Sequence, residues 1–510
     1  MCHDECTSRR GFLEGVGLGA AGAALGGALL ASAVQGAEPQ AAQAQPFPRG
    51  AALRVKPALL VSTPGRGNKT SWRSYGGIQT LAEAQAEAQR LEKDMKGLAA
   101  KSDFPIEFLP LALVSNDPTA KEACATDCDA FLVFGASAMG RHIPGLFAAA
   151  RPTILFVRHR TEPHYFWYEG AHIILLRNWT DGFAEPNLDV HDVAVDDYGE
   201  ALWRLRALYG LKNARGTKML AIGGLQHYSG VGGTHAPQHA KEVWNYSVES
   251  LPLEEFAKRL AKARADQRAT DEAERLTKDM LAQPNVTLAT DRKFVANSFL
   301  ALGVVKEFLK ETGAANFGFA GCMGSGIIGL LDTPPCLVLS LACDEGLTAY
   351  CHADLTHTFP GVLLRWIASR PAFVCNSHFP HDGVYTVAHC AAPRRMNGKD
   401  YEPTTITTHY ESDYGAATKV QYTKGQTVTV IIPALNCTKW QGFRGRILDA
   451  PSRPACRSQM DITVEGDWRR LLETQVGFHV QVAYGDWLRE VGYALGKLKK
   501  LGWESFSPEA

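Results

Sequence analysis

Short apolar runs recur along residues 52–176, separated by polar segments of helical period. Pro57–Ser62 (PALLVS), Phe108–Val114, Asp129–Gly135 (DAFLVFG), Pro152–Val157 (PTILFV) and Ala171–Leu176 (AHIILL) leave little polar surface on either side. Runs of that kind predict strands covered on both faces. Ile78–Ala100, between the first two, carries apolar residues at helical spacing. Strand and helix in alternation predict a parallel, helix-covered sheet over an N-terminal domain, 51–180. A second α/β domain, 181–341, repeats the pattern. Its first strand begins near Thr217 (KMLAIGG), a charged helix follows over Leu253–Leu281 and another over Arg292–Thr312, and Asn316–Ala320 and Cys336–Ser340 predict the later strands. Beyond Pro393 the period changes to two, most clearly in Gln426–Ile432 (QTVTVII), so a C-terminal β-rich domain, 342–510, is expected to hold an antiparallel sheet or barrel. An amphipathic helix over Trp487–Leu501 closes the chain.

The first residues change where this fold is expected to work. Ser8-Arg9-Arg10-Gly11-Phe12-Leu13, a charge-free Gly/Ala/Leu run and the small residues Ala31-Ser32-Ala33 predict a twin-arginine signal peptide over 1–37, with an Ala/Gln/Pro linker over 38–50. Glycine and alanine make the run only mildly apolar, which disfavours a membrane anchor. A periplasmic protein is expected, exported already folded and free of the membrane once the signal is removed. Lysine plus arginine (53) equals aspartate plus glutamate (53), so no net field draws in nucleic acid or an anionic membrane. A small neutral ligand suits that balance. Ten of the twelve cysteines remain after the signal. Those inside apolar runs, such as Cys336 and Cys375, read as packed thiols, and Cys124 with Cys128 is the pair most readily bridged in an oxidising compartment.

The candidate chemistry concentrates in Thr333–Pro393, which carries His352, Asp354, Asn376, His378, His381, His389 and five cysteines around short apolar runs. Three readings compete. Gly324-Ser325-Gly326-Ile327-Ile328-Gly329 is a formal dinucleotide fingerprint with Asp344 and Glu345 further on, the basis for an exported dinucleotide-dependent oxidoreductase. It sits late in the second unit, however, and the first strand-turn of the mature chain (STPGRGNKTSW) lacks the pattern. A cysteine nucleophile at Cys390 or Cys351 is disfavoured, because its neighbouring histidine, His389 or His352, would point to the opposite face of a strand. The third reading is a metal or acid/base site of His352, Asn376, His389 and His479, since imidazole is the usual ligand of transition metals.

Several segments add a resemblance. TPPCLVLSLACDEGLTAYCHADL, PAFVCN, AHCAAP, KGQTVTV, RPACRSQMDI and GFHVQVAYGDW resemble, in the same order, elements of the L-fucose isomerase and L-arabinose isomerase superfamily, from about residue 52 to 505. The resemblance implies two Rossmann-like parallel-sheet domains followed by a C-terminal domain built on an antiparallel β-barrel. It also implies a homo-oligomer in which a neighbour's first domain roofs the site, and an aldose–ketose isomerisation of a monosaccharide or sugar derivative through an enediol. The family's divalent ion, typically manganese, is held by two acids and a histidine. Those positions fall on His352, Asn376 and His479, with His389 or Asp354 transferring the proton. Histidine and asparagine in place of the acids imply zinc, nickel or iron instead. Asparagine cannot accept a proton, so Asp354, Asp344, Glu345 or Asp382 is needed in that role. A relative that binds carbohydrate without isomerising it is the alternative. In either case Trp72, Trp167, Tyr350 and Trp487 are candidates to stack on a sugar.

Overall fold

The computed structural model describes residues 46–138, 146, 151–165, 170–177, 180, 188–321 and 326–508. The expected signal peptide, most of the linker, Trp167, Cys322 and the Gly324-Ser325 half of the glycine motif lie outside them. Among the described residues, no helix is long and apolar enough to cross a membrane.

The N-terminal runs build a six-stranded parallel sheet. Leu53–Leu60 pairs with Ala130–Gly135, followed outward by Thr153–Val157 and Val193–Val195. Ala130–Gly135 and Thr153–Val157 are buried throughout, which is why they carry no alternation. Two expectations need correction here. Phe108–Val114 is not one strand: Ile106–Phe108 and Ala112–Val114 pair separately with the two halves of Leu53–Leu60. Pro110 between them has no N–H to give a ladder. Ala171–Leu176 is a turn of π-helix, burying Ala171 and Leu176 while His172 and Ile173 are exposed. A strand would send residues five apart to opposite faces.

A second, four-stranded parallel sheet runs in the order Thr348–Cys351, Asn316–Phe319, Lys218–Ile222, Ser247–Leu251. The helix expected over Leu253–Leu281 is two, Leu253–Ala265 and Gln267–Leu281, because Asp266 leaves helical geometry and caps the second through the Arg268 N–H. Arg292–Thr312 is helical over those bounds. Cys336–Ser340, expected as a strand, belongs to a helix, Cys336–Asp344, in which every residue is buried. With no polar face, its apolar run cannot reveal a helical period.

The C-terminal part closes a six-stranded antiparallel barrel. Phe373–Ser377, Val384–His389, Ser458–Thr463, Lys439–Asp449, Thr427–Pro433 and His479–Tyr484 pair in that circular order, and Gly502–Ser505 adds in parallel to Lys439–Asp449. Tyr414–Val420, Thr404–His409 and Val286–Leu288 form a separate small sheet. The terminal helix spans Leu488–Leu498.

One helix joins the second sheet to the barrel and positions the site. Leu355–Ala368 buries every residue except Trp366. Its Phe359 stacks on Trp244 (5.6 Å between centroids, 8° apart), and Trp244 stacks in turn on Trp440 of the barrel (5.5 Å, 11°). Offset aromatic pairs of this kind contribute about 0.5–1.5 kcal/mol each beyond their burial. Ala44–Ala510 forms one compact unit.

Candidate functional site: a histidine-lined cavity between sheet and barrel

Four strands bring side chains to one cavity of about 490 Å³, and a buried helix lies beside it. Strand Thr348–Cys351 ends on His352, whose backbone is left-handed (φ 56°), a conformation that costs a non-glycine residue about 1–3 kcal/mol and recurs where function demands it. Two residues on, Asp354 caps the helix Leu355–Ala368. Its Oδ1 accepts from the Thr356 N–H (2.8 Å) and hydroxyl (2.7 Å), and its Oδ2 accepts from the Tyr228 N–H (2.9 Å). His357 follows at i+3 on the same helix. From the barrel come Asn376 and His479, direct partners on neighbouring antiparallel strands, and His389, the last residue of its strand. Thus His352, Asn376, His389 and His479 line one cavity, and Asp354 lies buried beside them.

The cavity is rich in lone pairs and poor in protons. Burial lowers the pKa of His227 and His352, and takes His357 down to about 4, His389 to about 3 and His479 to about 2; neighbouring imidazoles push the last three further. All are neutral at pH 7, the form that binds metal. Asp354 is held below the usual carboxylate range. Burial opposes its ionisation, but the nearby His357 and the hydrogen bonds from Tyr228 and Thr356 outweigh it.

Several of these polar atoms have no hydrogen-bond partner: Asn376 Oδ1, His479 Nδ1, His227 Nε2 and both ring nitrogens of His357, apart from an approach to the Cys351 backbone outside hydrogen-bond geometry. Leaving a buried polar group unpaired costs about 1–3 kcal/mol. A cluster of them is therefore the mark of a ligand. Asp354, His357 and His479 each offer one donor atom within 4.8 Å of the others, all three are buried, and the group could hold a metal ion. The donor set fits, with two imidazole nitrogens and a carboxylate oxygen.

Not every sequence candidate reaches this place. Asp344 is committed to a buried ion pair with Arg394 (2.7 Å), and Glu345 pairs with Lys306 (2.7 Å). Asp382 is exposed on the hairpin that also carries His378 and His381. Tyr350 is buried behind His357 (5.9 Å), and Trp487 donates its indole N–H to the Tyr484 carbonyl (2.7 Å). Trp72 lies beside Arg73, and neither it nor Trp487 lines the cavity. Cys124 and Cys128 flank the end of another helix, Asp117–Ala125, where Arg151 donates to the Cys124 carbonyl.

Other residues at the cavity or buried beside it were not legible as candidates. His357 was hidden because its spacing from Asp354 matters only on a helix, and the helix start at Asp354 is the signal that finds it. Glu411 stands on the turn after Thr404–His409, with Oε2 at 3.8 Å from His409 Nε2, and its charge is felt by His352. Tyr228, 61 % exposed, sits edge-on to His479 (5.2 Å) and Phe478 (4.6 Å) at the mouth.

No family model and no curated protein matches this sequence.

Proposed function

We propose that this protein is a metal-dependent sugar isomerase-like protein of the L-fucose and L-arabinose isomerase type, exported by the twin-arginine pathway to the periplasm. Its reaction interconverts an aldose and a ketose through an enediol. The observation that supports the reading best is the convergence of His352, Asn376 and His479, distant in sequence, on one open cavity beside the buried Asp354–His357–His479 group. In this reading the two parallel sheets correspond to the family's Rossmann-like domains, and a second copy of the chain roofs the site in a homo-oligomer.

A divalent ion on Asp354, His357 and His479 would supply Lewis-acid polarisation of the substrate's carbonyl and adjacent hydroxyl. Two nitrogens and one oxygen favour zinc, nickel or iron over manganese. The chain's own groups then divide the remaining work. His352, neutral and lining the cavity, takes the proton from the carbon beside the carbonyl and returns it to the neighbouring carbon, with the Glu411 carboxylate stabilising the imidazolium in between. His389 accepts the Ala391 N–H at Nδ1 (3.1 Å), which puts its own proton on Nε2 and makes it a hydrogen-bond donor to a substrate oxygen rather than a base. Asn376 Oδ1 accepts from a sugar hydroxyl, and the exposed ring of Tyr228 stacks on the sugar's apolar face.

The test is incubation of the metal-loaded protein with candidate aldoses and ketoses in deuterated water. Deuterium entering the carbon next to the carbonyl, and its loss in His352→Gln, supports the reading. The alternative, a carbohydrate-binding relative that does not isomerise, is favoured by Asn376 at an acid position and by the engagement of Asp354 as a helix cap. Saturable sugar binding without exchange establishes it. A nicotinamide or flavin retained by the exported protein would overturn both.

A further inference from the structure

Of the four cysteines that line the cavity, Cys336, Cys351, Cys390 and Cys456, the last two lie at the barrel-strand ends beside His389. Cys390 follows the last residue of strand Val384–His389, Cys456 lies two residues before the first residue of Ser458–Thr463, and both line the cavity. The strands pair with His389 opposite Ser458. Continued one step, that register sets Cys390 opposite Arg457 and Cys456 just beyond it. The ladder stops there and both chains turn aside, so the two sulfurs meet. The Arg457 N–H donates to Cys390 Sγ (3.4 Å), and the Cys456 thiol donates to the same sulfur.

This is unlike the packed thiols elsewhere in the barrel. Cys375 lies in an apolar core with no exposed surface, and its thiol donates to the Phe373 carbonyl (3.7 Å). That arrangement keeps the proton on sulfur. At Cys390 the polarity is reversed: the sulfur is the acceptor of a thiol and of backbone N–H groups, the environment that stabilises a thiolate. Donation from Cys456 outweighs burial and brings Cys390 down to about 7, while Cys456 is pushed up, as expected of two sulfurs sharing one proton.

We propose that Cys390 and Cys456 are a redox-active dithiol that exchanges with low-molecular-weight disulfides entering the cavity. The Cys390 thiolate attacks one sulfur of RS–SR, forms a Cys390–SR bond and expels RS⁻. The Cys456 thiol passes its proton to that RS⁻ and attacks the Cys390 sulfur. The Cys390–Cys456 bond forms as the Cys390–SR bond breaks, and a second RS⁻ leaves. The external disulfide gains two electrons, the dithiol loses two, and one proton moves from Cys456 to the first leaving thiolate. Oxidation ties the end of one barrel strand to the start of its neighbour beside His389. Neither sulfur belongs to the Asp354–His357–His479 group, so the inference stands apart from the proposed isomerase.

The experiment uses the full chain, folded and unmutated, with glutathione disulfide as the probe at about pH 8, followed by alkylation and peptide mass spectrometry under non-reducing conditions. The expected result is a Cys390–Cys456 crosslink forming roughly tenfold or more faster than any other thiol is lost, and reversed by reduced glutathione. Cys456→Ser should trap glutathione on Cys390. Without added disulfide, alkylation of Cys390 in the native protein should rise with pH through about 7 rather than about 9. Both thiols still fully alkylatable after oxidation, a crosslink joining either of them to a different cysteine, or a Cys390 alkylation profile centred near 9 would overturn the proposal.

Discussion

His357 carries two imidazole nitrogens into a place that no water reaches and meets them with no properly formed hydrogen bond. For stability alone, a leucine of similar bulk is the better residue. His357→Leu is therefore expected to raise the stability of the metal-free protein by about 1 kcal/mol in denaturant unfolding, because it removes unpaired polar atoms. It should also weaken divalent-metal binding by about 10-fold or more in calorimetry, since one of three ligands is gone. A loss of stability with unchanged metal affinity would show His357 to be structural. Glu402 offers a second test at this scale. Burial pushes its carboxyl up to about 7 from an ordinary 4.5, although Tyr484 donates to it, and its Oε2 has no partner. A raised folded pKa stabilises below about 4.5, and that contribution is lost as pH rises through about 7. Glu402→Gln should thus be more stable than the native protein by about 1–3 kcal/mol near pH 8, with the difference shrinking near pH 5, in paired denaturation curves. Residue types were partly legible in the sequence: His352, Asn376 and His479 could be picked out from motif context. His357 and Glu411 could not, because their relevance depends on a helix start and a turn between strands.

The elements explain why. A fully buried segment reads the same to a hydrophobicity pattern whether it is strand or helix, so CLVLS at Cys336–Ser340 was indistinguishable from the strands around it. Arg292–Thr312 was legible to the residue because it keeps a polar face. Leu355–Ala368 has no such face, though its cap Asp354 and its His357 form, with His479, the buried group beside the cavity. Its placement depends on Gly361. A Cβ there would lie 2.2 Å from the Tyr350 hydroxyl and 2.4 Å from its ring, which is itself buried. Gly361→Ala is expected to cost about 1–3 kcal/mol of stability through overpacking. Because the helix must shift, it should also weaken metal binding, read by the same calorimetry. An unchanged midpoint of unfolding would mean that the helix–strand contact is looser than this geometry.

At the scale of the molecule, the site exists because two architectures meet. Parallel strands present their ends, and the helix N-termini that follow them, on one edge. His352 and Asp354 come from that edge, whereas Asn376, His389 and His479 come from barrel strands whose neighbours are set by closure. The change of texture near Pro393 made the barrel legible in outline. Its circular strand order was not, since a pairing such as Phe373–Ser377 with His479–Tyr484, about a hundred residues apart, leaves no local trace. A ligand that bridges the two halves stabilises both. Saturating metal, at about 100 times its dissociation constant, should therefore raise the unfolding free energy by about 2.7 kcal/mol, with a melting midpoint that depends on metal concentration. That gain should fall away on acidification, as protons compete for the imidazoles.

The most direct test is the metal stoichiometry of the intact chain at neutral pH, measured by elemental analysis after equilibration with zinc, nickel, iron or manganese and removal of excess. One ion per chain, retained by the native protein and lost from both His357→Leu and His479→Ala, is the predicted result. Sub-stoichiometric binding of every metal, or binding that survives both substitutions, would contradict it.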